Sequence, residues 1–334
     1  MAKVLKIAGL VIGAGVLAFA LYVSWAWDRV WDVPLPELHA STDPAIIARG
    51  EALVRGPAHC VACHVGSPAD YVKSVTGTQV PLAGGFPFKL GPIGTLYTGN
   101  LTPDGETGIG RYTDPQIARM LRHGVRPDGV GSIPLLMPFG EMSDDDVVAI
   151  LSYLRAQPPV RRVVPANEWT VLGKVIKSFA AVTKPLVDVN PPRTAPPSAP
   201  TVERGKYLAV SVANCVGCHS PIDEMTGRFT GPRLTGALTP QEPAPFEDAD
   251  MNRWFLPPNI TPLKGSALMR FPDCATFVAR FKFGGRKHAG SSMPWELFSR
   301  MSEEDLGAIC AFLLTEPASG SPAPEDPTVP APSS

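Results

Sequence analysis

Hydrophobic positions are unevenly spread along the chain, and the densest block comes first. Between Ile7 and Trp27 lie 21 residues without a charge, and a helix of that length rises roughly 30 Å, the thickness of a bilayer core. Lys3 and Lys6 flank its short side, so the positive-inside rule leaves the rest of the chain outside the cytoplasm, with Trp25, Trp27 and Trp31 at the outer interface. The alternative is a secretory signal cleaved after Ala20, which would expose an apolar stub starting at Leu21. That cost favours an uncleaved anchor over residues 1–31. Either way the chain is exported.

Further on, the apolar positions become periodic. Val147, Ile150, Leu151 and Leu154 recur at the i, i+3, i+4, i+7 spacing of a helix packed on one face. Asp43-Pro44 reads as an N-cap followed by proline at the first helical position, and Ser143 with Asp146 and Ser302 with Asp305 read as capped starts of two later helices. Between these elements, "GGFPFKLGPIGTLYTGNLTPDGETGIG" from Gly84 is too rich in glycine and proline to be helical, and so long a loop in a compact domain usually wraps something. The pattern predicts a mainly α protein.

The periodic part is written twice. "ARGEALVRGPAHCVACH" aligns without a gap on "ERGKYLAVSVANCVGCH", "NLTP" at Asn100 returns as "NITP" at Asn259, and "MSDDDVVAILSYL" returns as "MSEEDLGAICAFL". Met137-Pro138 lies 73 residues after His64, and Met293-Pro294 lies 74 after His219. Two tandem copies of one unit follow, over 43–160 and 201–316. Residues 161–200 form a basic, Pro-rich linker, with six Lys/Arg against two acids. Trp169, Leu172, Ile176 and Phe179 share one face of a short amphipathic helix there, suited to packing on the two units or to lying on the membrane surface. Residues 317–334 read as a disordered Pro-rich tail. The formal net charge of −1 offers no reason to expect a nucleic-acid partner.

Four of the six cysteines sit in the two CxxCH phrases, Cys60-Cys63-His64 and Cys215-Cys218-His219. Two thiols one helical turn apart suit addition to the two vinyl groups of a porphyrin, and the adjacent histidine reaches the iron. A bare CxxC also suits a thiol redox pair or half a zinc site, but the twofold adjacent histidine and matched downstream methionine favour two covalent c-type haems. Axial ligands are then His64 with Met137 and His219 with Met293. Each histidine needs a backbone acceptor for its second ring nitrogen; Pro92 and Pro232, in Gly-Pro loops, are the candidates. Met120, Met142, Met225, Met251, Met269 and Met301 are assigned to ordinary packing. His39, His59, His123 and His288 have no counterpart in the other copy and read as surface or loop residues.

With these residues in view, both units resemble c-type cytochrome domains. The stretch 96–160, "LYTGNLTPDGETGIGRYTDPQIARMLRHGV…LMPFGEMSDDDVVAILSYLRAQPPV", is similar in particular to the membrane-bound cytochrome c subunits of periplasmic gluconate and alcohol dehydrogenases. The second unit keeps NITP but lacks the TGIG turn, and the family usually carries three haems where this chain has two motifs. The resemblance implies a single-pass inner-membrane protein with periplasmic haem domains. Such a protein is an electron carrier, not an enzyme, working between a dehydrogenase or quinol-side donor and an oxidase or soluble cytochrome. The alternative is a dihaem peroxidase, which needs an open iron site that two matched methionines would close. Two further expectations concern residues outside the motifs. Cys274 and Cys310 either bridge or remain buried thiols. Arg119, Arg122 and Arg126, and Arg280, Lys282, Arg286 and Lys287, precede the methionine loops and are candidates for partner docking.

Overall fold

The computed structural model describes residues 1–332. It begins with the apolar helix α1 (Ala2–Ala26), which is long and apolar enough to cross a membrane and buries none of its side chains. Helix α2 (Pro44–Val54) starts as expected, with the Asp43 carboxylate accepting the Ala45 N–H at 2.8 Å. Next come α3 (Pro68–Val75), the hairpin β1 (Pro87–Lys89) and β2 (Gly94–Tyr97), α4 (Asp114–His123) and α5 (Asp144–Ala156). The connector contributes β3 (Glu168–Trp169) and α6 (Val171–Phe179). In the second half, α7 (Val202–Tyr207) runs through a π-helical turn into the one-turn helix α8 (Cys215–Cys218). Beyond it lie β4 (Ile222–Asp223), β5 (Arg228–Phe229), β6 (Arg253–Phe255), α9 (Cys274–Phe283), α10 (Trp295–Phe298), α11 (Glu303–Thr315) and β7 (Thr328–Pro330).

The sequence repeat has a geometric cause. In each half the first helix crosses the last one, α2 on α5 and α7 on α11, and the crossing is so close that only glycine fits. A Cβ on Gly50 would overlap the Ala149 carbonyl, and one on Gly205 the Ala308 carbonyl. The arginine before each glycine holds the aspartate at the start of the last helix: Arg49 Nε donates to Asp146 at 2.7 Å, and Arg204 donates to Asp305 at 2.8 and 2.9 Å. The repeated Arg-Gly is therefore the signature of that crossing. Val147, Ile150, Leu151 and Leu154 are all buried in it, each stabilising by about 2 kcal/mol relative to exposure.

A single apolar core runs through both halves. Tyr207 of α7 reaches across to donate to Asp146 at 2.5 Å and accepts the Ser143 N–H at 3.0 Å. From α10's side, the Arg300 guanidinium donates to the carbonyls of Arg55, Ser74 and Val75 at 2.6, 3.0 and 2.9 Å, closing the C-terminal ends of α2 and α3. Cys274 and Cys310 form a disulfide that ties α9 to α11, with Cα atoms 5.7 Å apart.

The connector and tail depart from expectation. Trp169 lies in β3, paired with Gly94 of β2, and not on the amphipathic helix; the Thr170 hydroxyl caps that helix through the Gly173 N–H, so α6 starts one residue later. The Pro-rich segment is docked: the Asp144 and Asp145 N–H groups donate to the carbonyls of Pro192 and Arg193 at 3.0 and 3.1 Å. The tail lies against the second half. Its β7 pairs with β6, and Arg270 donates to the Ala323 and Pro324 carbonyls. Proline lacks a donor but keeps its carbonyl, and these segments are held through their carbonyls. Of the methionines assigned to packing, Met142 and Met301 are in the core, whereas Met225, Met251 and Met269 are exposed.

Two candidate haem sites

Each CxxCH phrase folds into one tight turn. The residue before the first cysteine is left-handed in both copies, His59 at φ 41° and Asn214 at φ 51°, and it turns the chain sharply into the motif. The His64 N–H then donates to the Cys60 carbonyl at 2.9 Å, and the His219 N–H to the Cys215 carbonyl at 2.8 Å. One turn thus places two thiols and an imidazole on the same side. Burial pushes the Cys60, Cys63 and Cys215 thiols up to about 12, and raises Cys218 as well. A disulfide-exchange CxxC needs the opposite shift, toward thiolate. Among the described residues no three His, Cys, Asp or Glu side chains converge.

The imidazoles are oriented by backbone. His64 Nδ1 lies 3.0 Å from the Gly99 carbonyl, and His219 Nδ1 lies 2.7 Å from the Pro258 carbonyl. A carbonyl only accepts, so Nδ1 carries the proton and Nε2 presents its lone pair. Burial lowers the pKa of both rings, the backbone bond opposing it more weakly, which keeps them neutral as a metal ligand must be. The expected acceptors were different. The Pro92 carbonyl instead accepts the Thr170 hydroxyl at 2.6 Å, and the Pro232 carbonyl accepts the Thr235 hydroxyl at 2.8 Å. The first Gly-Pro turn holds the start of the connector helix and the second closes a local turn.

The true acceptors stand immediately before the repeated NLTP and NITP, and those phrases explain themselves. Asn100 Oδ1 accepts from the Thr102 N–H and hydroxyl at 2.9 and 2.7 Å, while its amide donates to the Val160 carbonyl at 2.9 Å. In the second copy Asn259 Oδ1 accepts from the Thr261 N–H and hydroxyl, both at 2.8 Å, and its amide donates to the Ser319 and Ser321 carbonyls at 2.7 and 2.9 Å. All four side chains are buried. Each knot pins the histidine's acceptor to the strand that leaves the last helix. The signal was present in the repeat; its role was not.

Met137 and Met293 are both half-buried and pack against the same core as Cys60 and Cys215. They share a turn: the Phe139 N–H donates to the Met137 carbonyl and the Trp295 N–H to the Met293 carbonyl, each at 2.9 Å. Most of the neighbouring basic residues have structural roles. Arg122 is buried and holds Asp144 at 2.6 Å, Arg119 donates to the Arg126 and Pro127 carbonyls, and Arg126 pairs with Asp128. Lys282 donates to the Ser299 and Met301 carbonyls, Arg280 lies 4.0 Å from the Trp295 ring centroid, and Arg286 grips Glu296 at 2.7 and 2.8 Å. Lys287 stays exposed. The expected docking clusters are largely internal bracing.

Each half thus holds an oriented CxxCH turn followed by a half-buried Met-Pro turn. Comparison with known proteins finds cytochromes. The chain is 35% identical over 298 residues to an alcohol dehydrogenase (quinone) cytochrome c subunit of Gluconobacter oxydans, covering 83% of this chain and 56% of that protein. It is 35% identical over 184 residues to a gluconate 2-dehydrogenase cytochrome c subunit of Pantoea cypripedii, covering 53% and 38%. A diheme cytochrome c-type protein of Cereibacter sphaeroides is 26% identical over 270 residues, covering 78% and 82%. No family model matches. Its homologues are thus cytochrome c subunits of dehydrogenases and a diheme cytochrome, and the chain spans about half the length of the dehydrogenase subunits.

Proposed function

We propose that this chain is a membrane-anchored electron carrier that holds two covalent haems on the periplasmic side and takes electrons from a dehydrogenase, passing them toward an oxidase or soluble cytochrome. The observation that carries the reading is the repeated pairing of a CxxCH turn with a carbonyl-locked imidazole. Free thiols at Cys60, Cys63, Cys215 and Cys218 and a neutral Nε2 on each histidine fit the group. Bound there, haem supplies one-electron exchange at iron. The chain's part is to hold the group: the Asn-Thr knots hold Gly99 and Pro258, these hold the His64 and His219 rings, and His64 with Met137 and His219 with Met293 would supply the nitrogen and sulfur donors.

Two contacts support passage between the sites and retention of α1. The first is an aromatic series, Trp295 to Phe281 at 5.0 Å, Phe281 to Phe298 at 6.3 Å and Phe298 to His59 at 6.3 Å, which joins the Met293 turn to the residue before Cys60. The second lies at α1, where Phe19 stacks on Phe179 at 5.9 Å and Tyr22 meets the same ring at 5.1 Å. A helix packed on the body of the protein by these aromatics acts as an anchor, with α6 at its outer end.

Haem quantitation in the purified chain should give two per polypeptide, and oxidised protein should show the far-red absorption of sulfur ligation. Replacing Met293→Ala should open one iron to carbon monoxide or cyanide while the other stays closed. One haem per chain, or ready ligand binding by the unaltered protein, would overturn the reading; the latter would favour a peroxidase.

A further inference from the structure

At the C-terminal end of α1 lies a half-open pocket of about 400 Å³ lined in part by Tyr22, Trp27, Arg29, Trp31, Lys177 and Lys184. Its charge is not balanced. The Lys177 side chain is 9% exposed, and the one carboxylate within 4 Å among the described residues, Asp28, stands 3.9 Å from Nζ, beyond hydrogen-bond reach. Arg29 lies against aromatic faces, 3.8 Å from the Trp31 centroid and 5.5 Å from that of Trp25. Lys184 stands exposed beside them. Slightly farther out, Arg126 and Asp128 neutralise each other at 2.6 Å. Three cations therefore face one pocket against the single charge of Asp28.

Burial pushes the Lys177 ammonium down in pKa, with Asp28 only partly opposing this. An ammonium so desolvated, 5.5 and 5.2 Å from the Trp27 and Trp169 ring centroids, is stabilised by an arriving anion. The place selects the kind of anion. Tyr22 belongs to the last turns of α1 and Trp27 follows its end, the level at which tryptophan and tyrosine mark the headgroup region. Below the pocket the face of α1 is apolar and uncovered by protein, a surface along which acyl chains can lie.

We propose that this pocket binds the phosphate-bearing headgroup of an anionic lipid, with Lys177, Arg29 and Lys184 as its cationic contacts and the acyl chains along α1. The assignment rests on α1 being the anchor. Bound lipid would fasten α6, and with it β2 and β3 beside the first haem site, to the membrane surface.

The test is native mass spectrometry of the full haem-loaded chain in neutral detergent, titrated with phosphatidylglycerol, phosphatidylcholine and inorganic phosphate. One phosphatidylglycerol should be retained in preference to phosphatidylcholine. Lys177→Met and Arg29→Gln should each weaken it about fivefold, as expected for one cation near a charged lipid surface. Lys177→Arg should retain binding, as should Lys264→Gln, at an exposed position of the second half outside the pocket lining. Equal retention of phosphatidylcholine overturns the proposal, and so does inorganic phosphate that binds as tightly as the lipid, which identifies a free-anion site. Weakened lipid binding by Lys177→Arg as well as Lys177→Met would mean that packing, not charge, is responsible, and would also overturn it. Failure of the anchor reading is seen separately, as an intact mass lacking the N-terminal helix; selectivity lost with α1 present rejects the pocket alone.

Discussion

Asn259 makes the residue-scale logic plain, because every polar atom of its side chain is buried and engaged. Replacing it with alanine leaves the Thr261 N–H without its acceptor and removes the amide bonds to the Ser319 and Ser321 carbonyls, while the Thr261 hydroxyl keeps its bond to the Ser319 carbonyl at 3.1 Å. Each such buried group costs about 1–3 kcal/mol when left unsatisfied, and relaxation with water entry offsets part of the sum. We expect Asn259→Ala to destabilise the chain by about 3 kcal/mol, measured by denaturant unfolding. The Pro258 carbonyl that fixes His219 should loosen with it, so the reduction potential of the haem proposed at His219 should shift while that of the haem proposed at His64 holds. A stability loss with both potentials unchanged would show that the knot only braces the fold.

At the scale of elements, β7 illustrates how a donor-poor tail is held. Asp326 accepts from the Thr328 hydroxyl at 2.7 Å and N–H at 3.0 Å, and pairs with Arg253 of β6 at 2.7 Å. These bonds hold its carboxyl below the ordinary 3.8, the Thr328 hydroxyl acting most, then its amide, with Arg253 and His288 adding to them. Because the folded value is the depressed one, the contribution is complete above the ordinary value and is lost as pH falls through the folded value. Hydrogen exchange at the amides of β6 and β7 should therefore remain slow at neutral pH and speed up on acidification through that range, relative to the intrinsic rate. Asp326→Asn should show the faster exchange at neutral pH already. Equal protection in both proteins would place the hold on β7 elsewhere.

For the whole molecule, the question is whether the two halves behave as one body. They share a core, and Arg300 joins them by charge-assisted donation to three carbonyls of the first half. Such bonds contribute about 1.5–3 kcal/mol each in isolation and are not additive. Arg300→Ala should cost about 3 kcal/mol overall and split a single thermal transition, followed by calorimetry, into two. It should also slow electron exchange between the two proposed haems, since the Phe298–His59 contact lies beside that joint. A single transition and an unchanged rate would mean that Tyr207 and the apolar interface suffice.

What the sequence determined by itself were the features written in local chemistry. A charge-free run of helix length, an Asp-Pro or Ser-x-x-Asp start, a CxxCH phrase and a matched Met-Pro each act over a few residues, so spacing alone exposes them. The internal repeat extended this reach, since Arg-Gly and the Asn-x-Thr-Pro phrases were visible as recurrences before their purpose was. Tertiary structure decided whatever depends on which carbonyl or charge lies nearby in space. Every residue carries a carbonyl, so nothing in the residue type distinguished Pro92 and Pro232 from Gly99 and Pro258 as partners for His64 and His219. The basic residues before the methionine loops are alike in sequence; only the fold turns Arg122, Lys282 and Arg286 inward to carbonyls and carboxylates and leaves Lys287 in solvent. The pairing of Cys274 with Cys310 and the docking of the Pro-rich tail had the same origin. Both depend on contacts between segments far apart in the chain, and the order of residues does not encode such distances one by one.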